Sequence, residues 1–180
     1  MTRKGNWMQT FLGHAYWPLD PSQSEVFIED ISHALSMICR YGGHSSRFYS
    51  VAEHCIHVSH LVTPENALVG LLHDAPEAYL GDVIRPLKRF LGGYKDIERM
   101  NWAVIAQRFS VPYELPREVH EADNLACVTE TRELMLPSPI PQDDWRVTVT
   151  APSAFKVQCF SPEEANRFFL ARFYELAYPT

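Results

Sequence analysis

The chain has 180 residues, 46% of them apolar, which is enough for one domain with a real core and no disulfide scaffold. Its formal net charge of −6 and pI near 5.7 argue against a nucleic-acid-binding module, because an acidic surface repels a polyphosphate backbone. Cys39, Cys55, Cys127 and Cys159 form no C-x-x-C pair, and there is no long apolar run or cleavable leader pattern, so the chain reads as cytosolic with free thiols.

Residues 1–29 carry an aromatic cluster (Trp7, Phe11, Tyr16, Trp17) with Pro18 and Pro21, which predicts an extended arm or short hairpin lying on the core. Ile31, Ala34, Leu35 and Ile38 recur at helical spacing, predicting a helix over 30–40 that ends in Arg40-Tyr41 and is stopped by Gly42-Gly43. Ser50 caps a second helix, with Glu53 as the reciprocal partner of a capping box. Thr63-Pro64-Glu65 starts a third, Thr as N-cap and Pro at N1, which carries Leu68, Leu71 and Leu72 and delivers His73-Asp74.

Pro76 and Gly81 confine the next stretch to a helical turn and a loop, and Pro86–Leu91 predicts another short helical piece. Two longer helices are expected over 94–109 and 117–134. Residues 135–160 are Pro-rich loop with one alternating stretch, Val147-Thr148-Val149, and Ser161-Pro162-Glu163-Glu164 opens a last helix running to about Ala177. No repeat is present. The expected fold is all-α: a single helical bundle over residues 1–180, with a small extended N-terminal segment and a Pro-rich segment before the last helix.

His73-Asp74 is the most informative pair. An aspartate is rarely buried without a partner, yet this one closes an apolar helix beside a histidine. His54 and Asp123 lie in similar apolar helical settings. Imidazole plus carboxylate is a ligand set for Mn, Fe, Co or Zn, and two of each leave coordination positions for water and substrate. The competing reading, a helix end whose His and Asp simply face water, is not removed by spacing alone. His120, one turn before Asp123, is a further candidate for a supporting role, whereas His14, His33, His57 and His60 read as structural.

The order His54, His73-Asp74, Asp123 resembles the H…HD…D signature of HD-domain phosphohydrolases. VAEH at 51–54, LLHDAPEAYLGDV at 71–83, EAD at 121–123 and the CRYGGH block resemble the 5′-deoxynucleotidase branch, and its short bacterial and prophage members in particular. The similarity covers about residues 25–130. It implies one divalent ion (Co, Mn, Zn, Fe or Mg) held by His54, His73, Asp74 and Asp123. It also implies catalytic roles for Glu77 of HDxxE, for Arg40 on the phosphate and for Asp82 near the sugar. Tyr41 would pack on the nucleoside, and Lys88 takes the place of a polyphosphate-binding lysine in triphosphate-cleaving relatives. His44, in the loop before the metal helix, is a further phosphate candidate. The implied substrate is a small deoxynucleotide, with a deoxynucleoside triphosphate triphosphohydrolase and a silent nucleotide-binding regulator as alternatives. No membrane or nucleic-acid polymer is implied, and a homo-oligomer, dimer or larger, is.

Overall fold

The computed structural model describes residues 3–137 and 155–178. The alternating stretch expected at 147–149 and most of the Pro-rich segment lie outside them. Eight α-helices carry the described fold, and the only sheet among the described residues is a two-stranded antiparallel hairpin, β1 (Met8–Gln9) with β2 (Ala15–Tyr16). The all-α expectation holds, and so does the N-terminal hairpin. The hairpin is anchored by Tyr16, which is fully buried, stacks on Tyr79 at 3.7 Å and donates its hydroxyl to Asn101 at 2.7 Å.

Helix α2 (Val51–Leu61) is the central element. It packs against α1 (Ile28–Met37), α3 (Ala67–Leu72), α7 (Arg117–Leu134) and α8 (Pro162–Ala177). Val51, Ala52, Cys55 and Val58 are all fully buried, so α2 has apolar contacts on most of its circumference. Leu71 and Leu72 of α3 are also fully buried, each worth roughly 1.5–3 kcal/mol relative to exposure. Between these helices lies Gly70. A Cβ there would stand 3.2 Å from the Val62 side chain and 3.4 Å from the Ser59 backbone, so glycine lets α3 approach α2 closely. That approach sets the distance between the histidine on α2 and the one just past α3.

α4 (Glu77–Leu80) follows at once and ends on Gly81 at φ +77°. α5 (Arg85–Lys88) is a single turn, α6 (Tyr94–Phe109) and α7 match their expected bounds, and α8 starts with a complete capping box between Ser161 and Glu164. None of the described helices is long and apolar enough to cross a membrane.

Three local expectations need correction. α1 ends at Met37, not at Tyr41: Ile38 turns to extended backbone and Cys39 pairs with Ser50, with Arg40 N–H donating to Tyr49 O and Val51 N–H to Ile38 O. Arg40 and Tyr41 therefore stand in a separate 3₁₀ turn, Arg40–Gly43, in which Tyr41 adopts a left-handed conformation at φ 59°. Second, the capping box of α2 is only half made. Ser50 accepts from Glu53 N–H, but the buried Glu53 carboxylate instead accepts the N–H groups of Gln158, Cys159 and Phe160, clasping the chain before α8. Third, Thr63 makes no side-chain cap. Its N–H and hydroxyl both bond Glu118, and a 3₁₀ turn, Pro64–Asn66, precedes α3.

Candidate metal centre

Four side chains from three places in the chain converge. His54 comes from the first turn of α2, His73 and Asp74 from the turn that closes α3, and Asp123 from the second turn of α7. His54 Nε2 lies 3.3 Å from His73 Nε2, 3.6 Å from Asp74 Oδ2 and 3.3 Å from Asp123 Oδ1, and His73 Nε2 is 3.3 Å from Asp74 Oδ2. Ligand atoms about 2.0–2.2 Å from one ion stand roughly 2.8–3.6 Å apart at octahedral or tetrahedral angles, so these separations are those of a shared cation. The two imidazoles are buried, while the Asp74 and Asp123 side chains keep 23% and 22% exposure, which leaves the cluster open on its carboxylate side.

The histidine tautomers fit the same purpose. His73 Nδ1 is 2.8 Å from Gly70 O, and His54 Nδ1 is 2.6 Å from Glu130 Oε1. A carbonyl and a carboxylate can only accept, so each Nδ1 carries a proton, and in the neutral imidazole it is Nε2 that has the lone pair an ion would take. The carboxylates are oriented as well. Asp123 Oδ2 accepts from Arg85 at 2.6 Å while Oδ1 faces His54, and Arg40 lies 3.5 Å from Asp74 Oδ2.

The charges within the cluster depend on one another. Burial works against ionisation of Asp74, but His73, His54 and Arg40 hold its carboxyl below the usual range. Asp123 is likewise penalised by burial and drawn down to about 2 by its hydrogen bond and charge contact with His54. His73 is disfavoured as a cation by burial, yet Asp74 raises it well above the ordinary imidazole value. In the metal-free protein, protons on imidazole take the part that a divalent cation would take.

Glu130 was not singled out from sequence. It lies seven residues beyond Asp123, two turns along the same face of α7, and is fully buried. Tyr49 donates to its Oε1 at 2.9 Å, Tyr41 donates to its Oε2 at 2.5 Å, and Arg40 Nε is 3.2 Å from Oε2. Burial opposes its charge, but His54 and Arg40 hold the carboxyl well below the glutamate range. The available signal was the spacing: Glu130 stands two turns past Asp123, on the face of α7 that carries a candidate ligand.

A cavity of about 690 Å³ opens beside the cluster. Every substrate-side residue expected from sequence lines it: Arg40, Tyr41, His44, Glu77, Asp82 and Lys88. Its volume lies within the about 300–1,000 Å³ usual for small-molecule sites. Glu77 is buried, its Oε2 has no hydrogen-bond partner, and burial with Asp74 and Asp82 nearby pushes its carboxyl well up. Burial also raises Asp82. Lys88 is not a free cation: its ammonium is 2.5 Å from Glu98 Oε1 and 4.0 Å from Glu77 Oε1. Arg85 lines the same cavity and spans Asp123 and Asn124. His120 is exposed on α7 and makes no contact with the cluster; Glu130 has the supporting place considered for it. His57 stacks on Phe155, in keeping with its structural reading.

Fold and site together define a helical protein in which two overlapping groups, His54-His73-Asp123 and Cys55-His73-Asp74, could hold a metal ion beside a cavity. No family model matches the chain. It is 37% identical over 177 residues to the uncharacterized protein YfdR of Escherichia coli (strain K12), covering 96% of each chain. It is also 34% identical over 145 residues to an uncharacterized protein of Rhodobacter capsulatus, covering 73% of this chain and 74% of that one. The chain belongs to the family of YfdR.

Proposed function

We propose that this protein is a metal-dependent phosphohydrolase of the HD type that acts on deoxyribonucleotides, converting a deoxynucleoside 5′-monophosphate and water to a deoxynucleoside and phosphate. The observation that carries the reading is the convergence of four donor side chains, spaced as ligands of one ion, on a cavity that also holds Arg40, Glu77 and Asp82. A divalent ion there would polarise a phosphoryl oxygen and lower the pKa of water at the reacting centre.

The residues around it divide the work. Arg40 offers a planar, permanently charged fork to the phosphate oxygens, and its backing by Glu130 and Asp74 fixes its direction. Glu77 has a free carboxylate oxygen at the cavity wall. A cation beside Asp74 would offset the charge that raises this carboxyl, and the ionised group then takes a proton from the attacking water as the new P–O bond forms and supplies it to the 5′ oxygen as the old bond breaks. Asp82 faces the sugar and gauges its hydroxyls. Tyr41, pinned through its hydroxyl to Glu130, offers its ring as a fixed wall for the nucleoside.

The monophosphate is favoured over the triphosphate by where the basic residues spend their charge. Lys88 is held by Glu98 and Arg85 by Asp123, so neither stands free to hold a polyphosphate. The triphosphatase reading keeps one observation in its favour: Arg85, Lys88 and Arg89 all line the cavity, and a polyphosphate would compete for them. Chromatography of products from dAMP, dGMP, dATP, dGTP and their ribo counterparts decides. Phosphate from deoxy monophosphates alone is the expected outcome, whereas intact triphosphate from a dNTP would replace this reading with the second. The exposed Trp7, Phe11 and Leu12 of the N-terminal arm support self-association, which sedimentation checks.

A further inference from the structure

We infer that Glu130 is a positioning residue that ties the metal ligand His54 to the phosphate anchor Arg40, so that one buried carboxylate sets both halves of the site. The inference rests on the proposed centre and deepens it. One oxygen of Glu130 takes the His54 ring proton at 2.6 Å, and the other faces Arg40 Nε at 3.2 Å and takes the Tyr41 hydroxyl at 2.5 Å. The donor on each side is of a kind that demands an acceptor. His54 must give away its Nδ1 proton to keep Nε2 free for an ion, and a guanidinium has no acceptor at all. Tyr41, whose backbone is left-handed at φ 59°, is held in that conformation by the same carboxylate.

A carboxylate serves both sides, because one oxygen accepts the His54 proton while the other sets its charge against the guanidinium. An amide cannot. In Glu130→Gln the single carbonyl oxygen faces either His54 or Arg40. Turned to Arg40, it sets its NH₂ against His54, and the ring answers by moving its proton to Nε2, where it blocks the ion. Turned to His54, it sets the NH₂ against the guanidinium, two donors face to face. Arg40, with the greater charge, takes the oxygen. The structure thus assigns to Arg40 the deciding part in how the amide lies, and removing that charge releases the conflict. In the double variant Glu130→Gln with Arg40→Gln, the oxygen is free to face His54 while the amide hydrogens meet the Tyr41 hydroxyl, which can accept.

The test is a Co²⁺ titration of metal-free protein, followed by visible absorption, for the wild type, Glu130→Gln, Arg40→Gln and the double variant. Glu130→Gln is expected to weaken Co²⁺ about 10–100-fold, as loss of an orienting partner does, and to change the band shape. Arg40→Gln, which loses the contact with Asp74, sets its own level of Co²⁺ affinity, and the double variant returns to that level, within about threefold, instead of adding a second loss. A purely structural glutamate would instead make the double variant the weakest of the four, and that result overturns the inference. So does a Glu130→Gln protein with wild-type affinity and spectrum. If Glu130→Gln alone fails to fold, the double variant, which removes both charges together, carries the test by the same comparison with Arg40→Gln. Phosphate release from deoxynucleotides is scored separately: the expected Co²⁺ pattern with no product from any nucleotide keeps this inference and removes the functional reading.

Discussion

The inner and outer walls of the cavity are built on different terms. The inner wall, from α2, the end of α3 and α7, is buried and closely paired: each of its four candidate ligand side chains has a separate group that fixes its direction. Glu130 serves His54, Gly70 O serves His73, Arg40 serves Asp74 and Arg85 serves Asp123. The outer wall, residues 82–91, is one helical turn beyond Gly81 and carries exposed apolar side chains, Ile84, Leu87, Phe90 and Leu91. Its Lys88 is held by Glu98 and Glu77, and its Arg85 reaches across to Asp123. The contrast shows which part of the site is set by folding and which part a substrate must rearrange: the inner wall has few alternatives for its charges, the outer wall has partners that an anion can displace.

The largest effects should come from the inner wall. Asp74→Ala or His73→Ala removes a ligand outright, and loss of ion and activity together is expected, beyond the about 10–100-fold seen when only a supporting group is lost. Metal content and turnover measured on the same sample check this; a metal-free Asp74→Ala protein at full activity would break the contrast. Glu77→Ala should keep the ion and lose about 10²–10⁴ in rate, because its part is proton transfer. Unchanged kcat would take Glu77 out of the chemistry.

Acidity gives the next effect. His73 in the metal-free protein titrates above its ordinary value, under the influence of Asp74, so its charged form adds stability at low pH that is lost as pH rises through that raised value. Ion binding must displace the proton and runs the other way: affinity should fall by up to about tenfold per pH unit, for one proton, as pH drops below the raised His73 value. Isothermal titration at several pH values reads this, and a pH-independent affinity would contradict it. The outer wall should give the smallest change. Lys88→Ala leaves Glu98 and Glu77 without their cation but removes no contact that a monophosphate needs, so KM for dAMP should move by less than about threefold. A tenfold or larger rise confined to triphosphate substrates would sharpen the contrast in favour of the second reading.

Much of this was legible in the sequence. The helices at 94–109 and 117–134 follow from apolar periodicity, and the candidate ligand quartet came from the resemblance to the H…HD…D signature, with residue types in apolar helical settings beside it. What escaped was set by tertiary contact. The end of α1 was misplaced because Cys39 finds a bridge partner in Ser50, eleven residues on, which ends the helix before its glycines do. Glu53 looked like a local cap, but three backbone N–H groups more than a hundred residues away compete for it and win. Glu130 was missed since a glutamate in a polar-looking stretch of α7 reads as solvated until two tyrosines, an arginine and a histidine from elsewhere close around it. That Lys88 is held by Glu98, on the next helix, is not visible from spacing.

The most direct test of the central claim is to strip the protein of metal with a chelator, then add Co²⁺ in steps while following phosphate release from dAMP. The account predicts no release without the ion and a rise that saturates at one ion per chain, absent in Asp74→Ala. Phosphate release that persists under chelator, or a fully loaded protein that releases none, would contradict it.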